Sequence, residues 1–237
     1  MITVVIGKEN IFSEEIIVKD KKDINHLKNS FRIKEKDEIR AVDGEKEYLC
    51  SVQLLEKKEI KLEILSEKEI EKDEIEVVAG ISIIKNDRME LVIQKLTEIG
   101  IDKILPLETK RTIVKLKEKK EKWDVVSKEA IKQCQRVNFL DIGKITKLKD
   151  ISYEDYDLVI VPYENEENYS LKKLLKEEKK KIKKVLYIIG PEGGFSKEEI
   201  EGLKELENSK IVTLGRNILR AETAAIVVGG ILINEFK

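Results

Sequence analysis

The chain is organised around Tyr187-Ile188-Ile189-Gly190-Pro191-Glu192-Gly193-Gly194-Phe195-Ser196. The residues before Gly190 are mostly β-branched and apolar, which favours a buried strand. Gly190-Pro191 ends that strand, and Gly193-Gly194 lets another molecule approach the backbone closely. Ser196-Lys197-Glu198-Glu199 is a capping box, so a helix begins there. The stretch therefore predicts a strand, a glycine loop and a helix N-terminus, which is the usual geometry for a ligand at the carboxyl edge of an α/β sheet.

A second turn of the same kind follows. Residues 211–214 are predicted to form a short strand, residues 215–220 a loop, and Ala221 the start of a helix rich in Ala, Val and Ile. Neither loop has the Lys-Ser/Thr of a P-loop or the spacing of G-x-G-x-x-G, which disfavours an unrelated phosphate-binding enzyme. Each turn alone is also compatible with an ordinary connection between elements. The two together can face one pocket.

Together the two turns resemble a known family. Residues 190–196 followed by residues 214–224 are similar to the signature of the RsmE-type rRNA methyltransferases, which belong to the SPOUT superfamily. The resemblance implies methylation of N3 of a uridine in small-subunit (16S) rRNA, with S-adenosylmethionine as the cofactor. Ala221 stands where many members have Thr.

Composition limits the classes of protein that the chain can belong to. The chain has 237 residues, of which 41% are hydrophobic and 39% charged, and its net charge is −1. It can bury a core, but no global positive field points to nucleic acid, so any RNA site must be a local patch. No apolar run is long enough to span a membrane, and no Cys/His cluster has metal-ligand spacing. The isolated Cys50 and Cys134 favour a cytoplasmic protein over a secreted disulfide protein.

The first seventy residues predict a small β-barrel. Strands are expected at 2–6, 16–19, 38–42, 48–54 and 60–65, with one short helix capped by Asp23. This order resembles the PUA-like RNA-binding domain of the same family. His26 and Arg32 are the RNA-binding candidates here, although a lone histidine is more often a surface or satisfied residue.

The charged stretch 66–74 predicts a boundary, dividing the chain into residues 1–72 and 73–237. Beyond it, strands at 75–84, 104–107 and 158–161 alternate with helices, which predicts an α/β domain. Asp87 is expected to cap the first of these helices and Gly100 to end it. Residues 86–100 and 108–115 also resemble the family. The resemblance, and nothing in the spacing, implies a SPOUT domain with a C-terminal trefoil knot.

The resemblance also implies that loops at 162–164, 190–195 and 214–220 form the cofactor site. The expected cofactor-binding residues are Pro162, Glu164, Gly190, Glu192, Gly193, Gly194, Leu214, Gly215, Ile218, Leu219 and Ala224. The glycine-loop amides would hydrogen-bond the cofactor, and Ile218 and Leu219 would pack on the adenine. Glu192 has an alternative role as a cap for the helix that starts after Ser196.

Two residues are candidates for the chemistry. Uridine N3 must lose a proton before it can attack a methyl group, and a guanidinium near the uracil carbonyls would stabilise the resulting charge. Arg220 is the candidate for this role, and Glu222 is expected to act as a base or to orient Arg220. Glu222 has an alternative role as a first-turn acid favoured by the helix dipole. Arg88, Arg111 and Arg136 complete the RNA-binding candidates.

The expected partners are small-subunit rRNA or the ribosomal subunit, together with a second copy of the chain in a homodimer. A ribose 2′-O-methyltransferase of the same superfamily is an alternative function, which the segments at 86–100 and 216–224 disfavour. A non-enzymatic RNA-binding protein with a degenerate cofactor site is another, which the intact glycine loops disfavour.

Overall fold

The computed structural model describes residues 1–71, 73–178 and 181–237. Lys72, the predicted end of the first domain, lies outside the described residues. The chain divides into two compact units, Met1–Lys72 with Lys128–Phe139, and Asp73–Ser127 with Leu140–Lys237. The boundary near residue 72 as a limit between independently folding domains stays a prediction.

The first unit is built on one five-stranded sheet. Its strands are β1 (Thr3–Val5), β2 (Glu15–Val18), β3 (Glu38–Val42), β4 (Lys46–Leu55) and β5 (Ile60–Glu69), in the order β1-β3-β4-β5-β2. A short helix, α1 (Lys21–Asn25), continues into a π-type turn at His26–Ser30. The buried side chains form one apolar cluster that includes Ile16, Ile39, Val52 and Leu62. This arrangement confirms the predicted β-rich first part of the chain.

Two local expectations for this unit are wrong. The N-cap of α1 is Asp20, whose Oδ1 accepts the Asp23 N–H at 2.9 Å, whereas the Asp23 carboxylate pairs with Lys132. The charged residues 66–69 continue β5 instead of forming a linker, because they pair with residues 46–49 of β4 and Lys46 bonds Glu67 across the strands. The run of charged residues was therefore part of a strand and was mistaken for a linker.

The second unit contains a parallel sheet with helices on both faces. Its strands are β6 (Glu76–Ser82), β7 (Lys103–Glu108), β8 (Asp141–Ile142), β9 (Thr146–Lys147), β10 (Leu158–Pro162), β11 (Lys184–Ile189) and β12 (Ser209–Val212). Their order is β12-β10-β11-β6-β7-β8, and β9 also pairs with β7. The helices are α2 (Asn86–Ile99), α3 (Glu121–Cys134), α4 (Leu171–Glu177), α5 (Lys197–Lys204) and α6 (Ala221–Phe236), and the residues of α3 from Lys128 onward belong to the first unit. The sheet confirms the predicted α/β class, while the trefoil knot stays a prediction.

Alternate residues of the central strands are buried on opposite faces of this sheet. Val77 and Ala79 of β6 belong to the cluster that contains α2 and α6, whereas Val78 faces the cluster that contains α5. Strands buried on both faces have nearly continuous apolar sequences, as β6 and β11 do. Because β10 pairs in parallel with both β11 and β12, the carboxyl ends of these three strands meet at one edge.

Three element ends in this unit bear on the site. The capping box is confirmed, because Ser196 Oγ accepts the Glu199 N–H at 3.2 Å and Glu199 Oε2 accepts the Ser196 N–H at 2.8 Å. Asp87 does not cap α2; the N-cap is Lys85, which makes no side-chain capping bond. Strand β12 ends at Val212, two residues before its predicted end, because its partner β10 ends at Pro162.

Candidate active site

A cavity of about 600 Å³ lies where β10, β11 and β12 end. Its walls are the loops after these three strands, together with Arg88 from the start of α2. All eleven residues expected from the sequence to bind the cofactor line it, and so does Arg220. The sheet order explains the convergence, because β11 is hydrogen-bonded to β10, and β10 to β12.

The glycine loop after β11 contains a backbone conformation that favours glycine. Gly194 has a φ of +66°, which favours glycine, and its N–H donates to Pro191 O at 2.9 Å. A Cβ on Gly194 would lie 2.6 Å from Glu164 Oε1, in the opposite wall of the cavity. Because that oxygen is the end of a flexible side chain that can move aside, the requirement for glycine at this position comes from its positive φ.

The loop after β12 supplies an apolar wall. Ile218 is 82% exposed, the most exposed of the large hydrophobic residues, while Leu214 and Leu219 are half-buried against the core. Ala224, one turn into α6, is buried at the base of the cavity. An apolar ligand face can thus be covered from one side without moving the backbone.

At the start of α2, the guanidinium of Arg88 lies close to two carboxylates. Arg88 Nη1 lies 3.6 Å from Glu192 Oε1, and Arg88 Nε lies 3.6 Å from Glu222 Oε1. Glu222 is only 9% exposed, and its Oε2 has no hydrogen-bond partner among the described residues. Arg88, predicted as an RNA ligand, thus lies between the glycine loop and the first turn of α6.

Glu192 is directed at a different helix from the one expected. The backbone N–H of Lys85, the N-cap of α2, approaches Glu192 Oε1 at 3.4 Å. The helix after Ser196 is capped instead by its own Ser196 and Glu199. The alternative role of Glu192 as a cap for α5 is therefore wrong, and the carboxylate faces α2.

Arg220 is the N-cap of α6 and its side chain is exposed at the cavity. It makes no ion pair within the described ranges, whereas Glu222 pairs with Arg88. Glu222 is not among the residues that line the cavity. The structure therefore does not show Glu222 orienting Arg220, and it leaves the guanidinium of Arg220 free to meet a ligand.

Arg111 braces the glycine loop from the end of β7. Its Nη1 donates to Gly193 O at 2.8 Å, and the neighbouring Lys110 N–H donates to Glu199 Oε1 at 2.7 Å. A buried turn fixes this segment, because the Thr109 N–H donates to Thr112 Oγ1 at 2.9 Å. Arg111 was expected to contact RNA, and here its guanidinium contacts the site backbone.

The other RNA candidates belong to the first unit. His26 is exposed, shares a hydrogen bond with Ser30 Oγ at 3.1 Å and lies edge-on to Phe31 with ring centroids 4.6 Å apart. Arg32 is exposed in the left-handed region, with a φ of +53°. Arg136 Nε donates to Asn138 Oδ1 at 2.9 Å. Their role in RNA binding stays a prediction.

Neither a membrane span nor a metal centre is found in the described ranges. No helix there is long and apolar enough to cross a membrane. No group of three or more His, Cys, Asp or Glu side chains there has a metal-binding arrangement.

Comparisons with known proteins agree with this architecture. Residues 71–233 match a family model described as an RNA methyltransferase domain, and residues 18–65 match one described as an RNA methyltransferase PUA domain. Ribosomal RNA small subunit methyltransferase E of Aquifex aeolicus is 30% identical over 207 residues, which cover 86% of this chain and 88% of the relative.

Two solved structures are similar over nearly the whole chain. A Legionella pneumophila protein described as a methyltransferase, solved with bound S-adenosylmethionine, superposes with a TM-score of 0.82 at 26% identity. The match covers 98% of this chain and 96% of that one. The small subunit methyltransferase E of Neisseria gonorrhoeae has a TM-score of 0.84 over 99% of this chain and 97% of its own, and at 24% identity it supports the fold alone.

Proposed function

Because the chain belongs to the RNA methyltransferase family that includes ribosomal RNA small subunit methyltransferase E, we propose that it methylates small-subunit rRNA with S-adenosylmethionine. The position that the resemblance implies is N3 of a uridine. The observation that carries the proposal is the cavity at the ends of β10, β11 and β12, which gathers every residue expected to bind the cofactor.

The residues of this cavity fit S-adenosylmethionine. Backbone groups of the loop at Gly190–Gly194 can bond the polar edge of an adenosyl group, and Ile218 and Leu219 can cover its apolar face. Glu164 lies within reach of the glycine loop, where a carboxylate can accept hydrogen bonds from a ribose. The cofactor, when bound, supplies the reactive methyl group, and the chain supplies position and electrostatics.

Arg220 is the proposed catalytic residue. Loss of the N3 proton places negative charge on the neighbouring uracil carbonyls, and a planar guanidinium with free donors stabilises such charge. Arg220 is exposed at the cavity and forms no ion pair with a described residue, so its donors are available. We assign Glu222 a positioning role, holding Arg88, because Glu222 pairs with Arg88 and does not line the cavity.

We also propose that the protein works in the cytoplasm, together with its rRNA substrate. We further propose that it acts as a homodimer. The first unit and its exposed Arg32 would hold RNA, while the second unit would hold the cofactor. The two units would thus divide substrate binding from chemistry.

The decisive experiment is mass spectrometry of small-subunit rRNA nucleosides from a strain lacking this protein, with a complemented strain as the control. We expect loss of one 3-methyluridine in the deletion strain and its return on complementation. Calorimetry with S-adenosylmethionine tests the cofactor separately. An unchanged nucleoside profile, together with no heat of binding at high ligand concentration, would refute the proposed function.

A further inference from the structure

A second cavity of about 640 Å³ lies in the second unit and shares no residue with the candidate active site. It opens between α5 and the segment that follows β9, and its size is in the range of small-molecule sites. No sequence pattern predicted it. Nothing in the proposed chemistry uses it.

The floor of this cavity is apolar and contains one aromatic ring. Leu148 and Leu203 are buried there, and Leu206 and Tyr153 are half-buried. The Tyr153 hydroxyl donates to Leu148 O at 2.8 Å, so its polar end already has a partner. The ring and the three leucines give the floor an uncharged surface.

The rim of the cavity carries four lysines, and two of them are already paired. Lys115 bonds Glu108 at 2.8 Å, and this bond is the main reason that the pKa of the Glu108 carboxyl is lowered. Lys110 bonds Glu198 at 3.2 Å. The other two, Lys147 and Lys149, are exposed.

Lys147 and Lys149 flank Leu148 on one wall of the cavity. Neither is within salt-bridge distance of a carboxylate elsewhere in the described part of the chain, although Lys147 also contributes to lowering the Glu108 pKa. These two ammonium groups are available for an anion.

The cavity adjoins the candidate active site through two short segments. Lys110, on its rim, precedes Arg111, whose guanidinium bonds Gly193 O in the glycine loop. Ser196 and Glu199, which also line the cavity, cap the helix that the glycine loop enters. A polymer whose reacting unit lies in the active site can therefore extend past this loop into the second cavity.

We propose that this cavity binds a nucleotide of the RNA substrate that flanks the methylated one, with its base on the Leu148–Tyr153 floor and its phosphate on Lys147 and Lys149. Unstacked RNA bases are commonly held on apolar and aromatic side chains, while lysines contact the backbone phosphates. The inference rests on the proposed function, because it takes RNA to be the substrate. It adds a specificity subsite to that function.

Gly202 allows the cavity to be filled without disturbing the fold. It lines the cavity from α5, and a Cβ built there meets no atom within 4 Å. Leucine is also a better helix former than glycine. Gly202→Leu should therefore fold and occupy the floor, and Gly202→Ala is the matched control that adds only a methyl group.

The first measurement is the affinity of each full-length variant for a small-subunit rRNA transcript. Gly202→Leu should weaken binding roughly fivefold to a hundredfold, the effect of losing one stacked base, while its affinity for S-adenosylmethionine stays unchanged. Gly202→Ala should bind RNA as the wild type does. Equal RNA affinity for Gly202→Leu and the wild type would overturn the proposal. A change in oligomeric mass at equal RNA affinity would instead show that a second copy of the chain fills the cavity.

Charge reversal tests the phosphate contacts. Lys147→Glu with Lys149→Glu should weaken RNA binding and reduce its salt dependence, because the phosphate that the two lysines hold loses its contacts. Lys172→Glu with Lys176→Glu, on the exposed face of α4, makes the same charge change away from the cavity. Equal losses in the two double variants would refute a specific contact. If the wild type neither binds the cofactor nor methylates rRNA, the proposed function fails. If the wild type does both, and the cavity variants bind RNA as tightly as the wild type, the subsite alone fails.

Discussion

At the scale of single residues, Arg88 is the most connected side chain of the candidate active site. It lies 3.6 Å from both Glu192, in the glycine loop, and Glu222, in the first turn of α6. A buried carboxylate is costly without a cationic partner. Arg88 therefore stabilises Glu222 in the first turn of α6 and holds that turn against the glycine loop.

Arg88→Ala should lower the free energy of unfolding by about 1–2 kcal/mol, less than for a fully buried pair because the Arg88 side chain is partly exposed. Glu222→Gln removes the charge that Arg88 balances, so the double variant should be more stable than the sum of the single losses predicts. Chemical denaturation of the four proteins measures this coupling. Strictly additive losses would contradict the pairing.

Arg220→Ala should act on the chemistry and leave the cofactor in place. Removing one donor to a developing oxyanion lowers the rate by roughly a hundredfold or more, whereas the affinity for S-adenosylmethionine should stay within a few-fold. Lysine should rescue poorly because it lacks the planar fork. Arg216→Ala, in the same exposed loop, is the control. An unchanged single-turnover rate for Arg220→Ala at saturating cofactor and RNA would remove Arg220 from the mechanism.

At the scale of elements, Gly100 and Gly202 allow the effect of backbone conformation to be measured apart from packing, because a side chain at either would contact nothing. Gly100 ends α2 with a φ of +101°, while Gly202 lies inside α5, and a Cβ at either meets no atom within 4 Å. Gly100→Ala should destabilise the protein by about 1 kcal/mol, because alanine resists the left-handed conformation. Gly202→Ala should stabilise it by about 0.5–1 kcal/mol, because glycine is disfavoured in a helix. The denaturation midpoints should move in opposite directions, and a shift of both in one direction would contradict this account.

Local sequence signals predicted many of the element ends. Gly100, the Ser196–Glu199 capping box and the strand Glu38–Val42 were all expected from short-range chemistry, and the structure has them. The failures are places where a distant strand decides the outcome. The charged composition of residues 66–69 predicted a solvent-exposed linker, yet they pair with β4. Likewise, β12 ends earlier than predicted because its partner β10 ends there.

The candidate site also has residues that could be predicted from the sequence and contacts that could not. The glycine and apolar loop residues follow from the resemblance, and the structure places them around one cavity. The contacts of Arg88 and Arg111 depend on β6 lying between β11 and β7, which no local pattern encodes. Strand order is therefore the information that sequence reasoning lacked.

At the scale of the whole molecule, residues 128–139 belong with the first unit although the chain reaches them from the second. Arg40 Nη2 donates to Gln135 O at 2.8 Å, and Lys132 pairs with Asp23. Burial opposes the charged form of Lys132, but the hydrogen bonds that its Nζ donates to Asp23 and Glu129 raise the pKa of Lys132 overall. Deleting residues 1–72 would leave this segment without its partners. Point variants such as Arg32→Ala are the cleaner test of RNA binding by the first unit.

The surface formed by α2 and α6 carries the prediction of a homodimer. Leu91, Val227 and Ile231 are 40%, 40% and 39% exposed, although the two helices that carry them pack against each other. Val227 and Ile231 are four residues apart and so lie on one face of α6. Exposed apolar residues grouped in this way often mark a protein interface.

Val227→Lys with Ile231→Lys should convert the dimer to a monomer, because two charges cannot be buried there without partners. Glu201→Lys, at an exposed position of α5, which packs on the opposite face of the sheet, makes the same charge change of two units and should leave the mass unchanged. Light scattering at micromolar protein measures both variants and the wild type. The affinity for a partner copy should fall while the helix content by circular dichroism stays constant, which separates lost association from unfolding. A monomeric mass for the wild type would refute the dimer, and a dimeric mass for Val227→Lys with Ile231→Lys would place the interface elsewhere on the molecule.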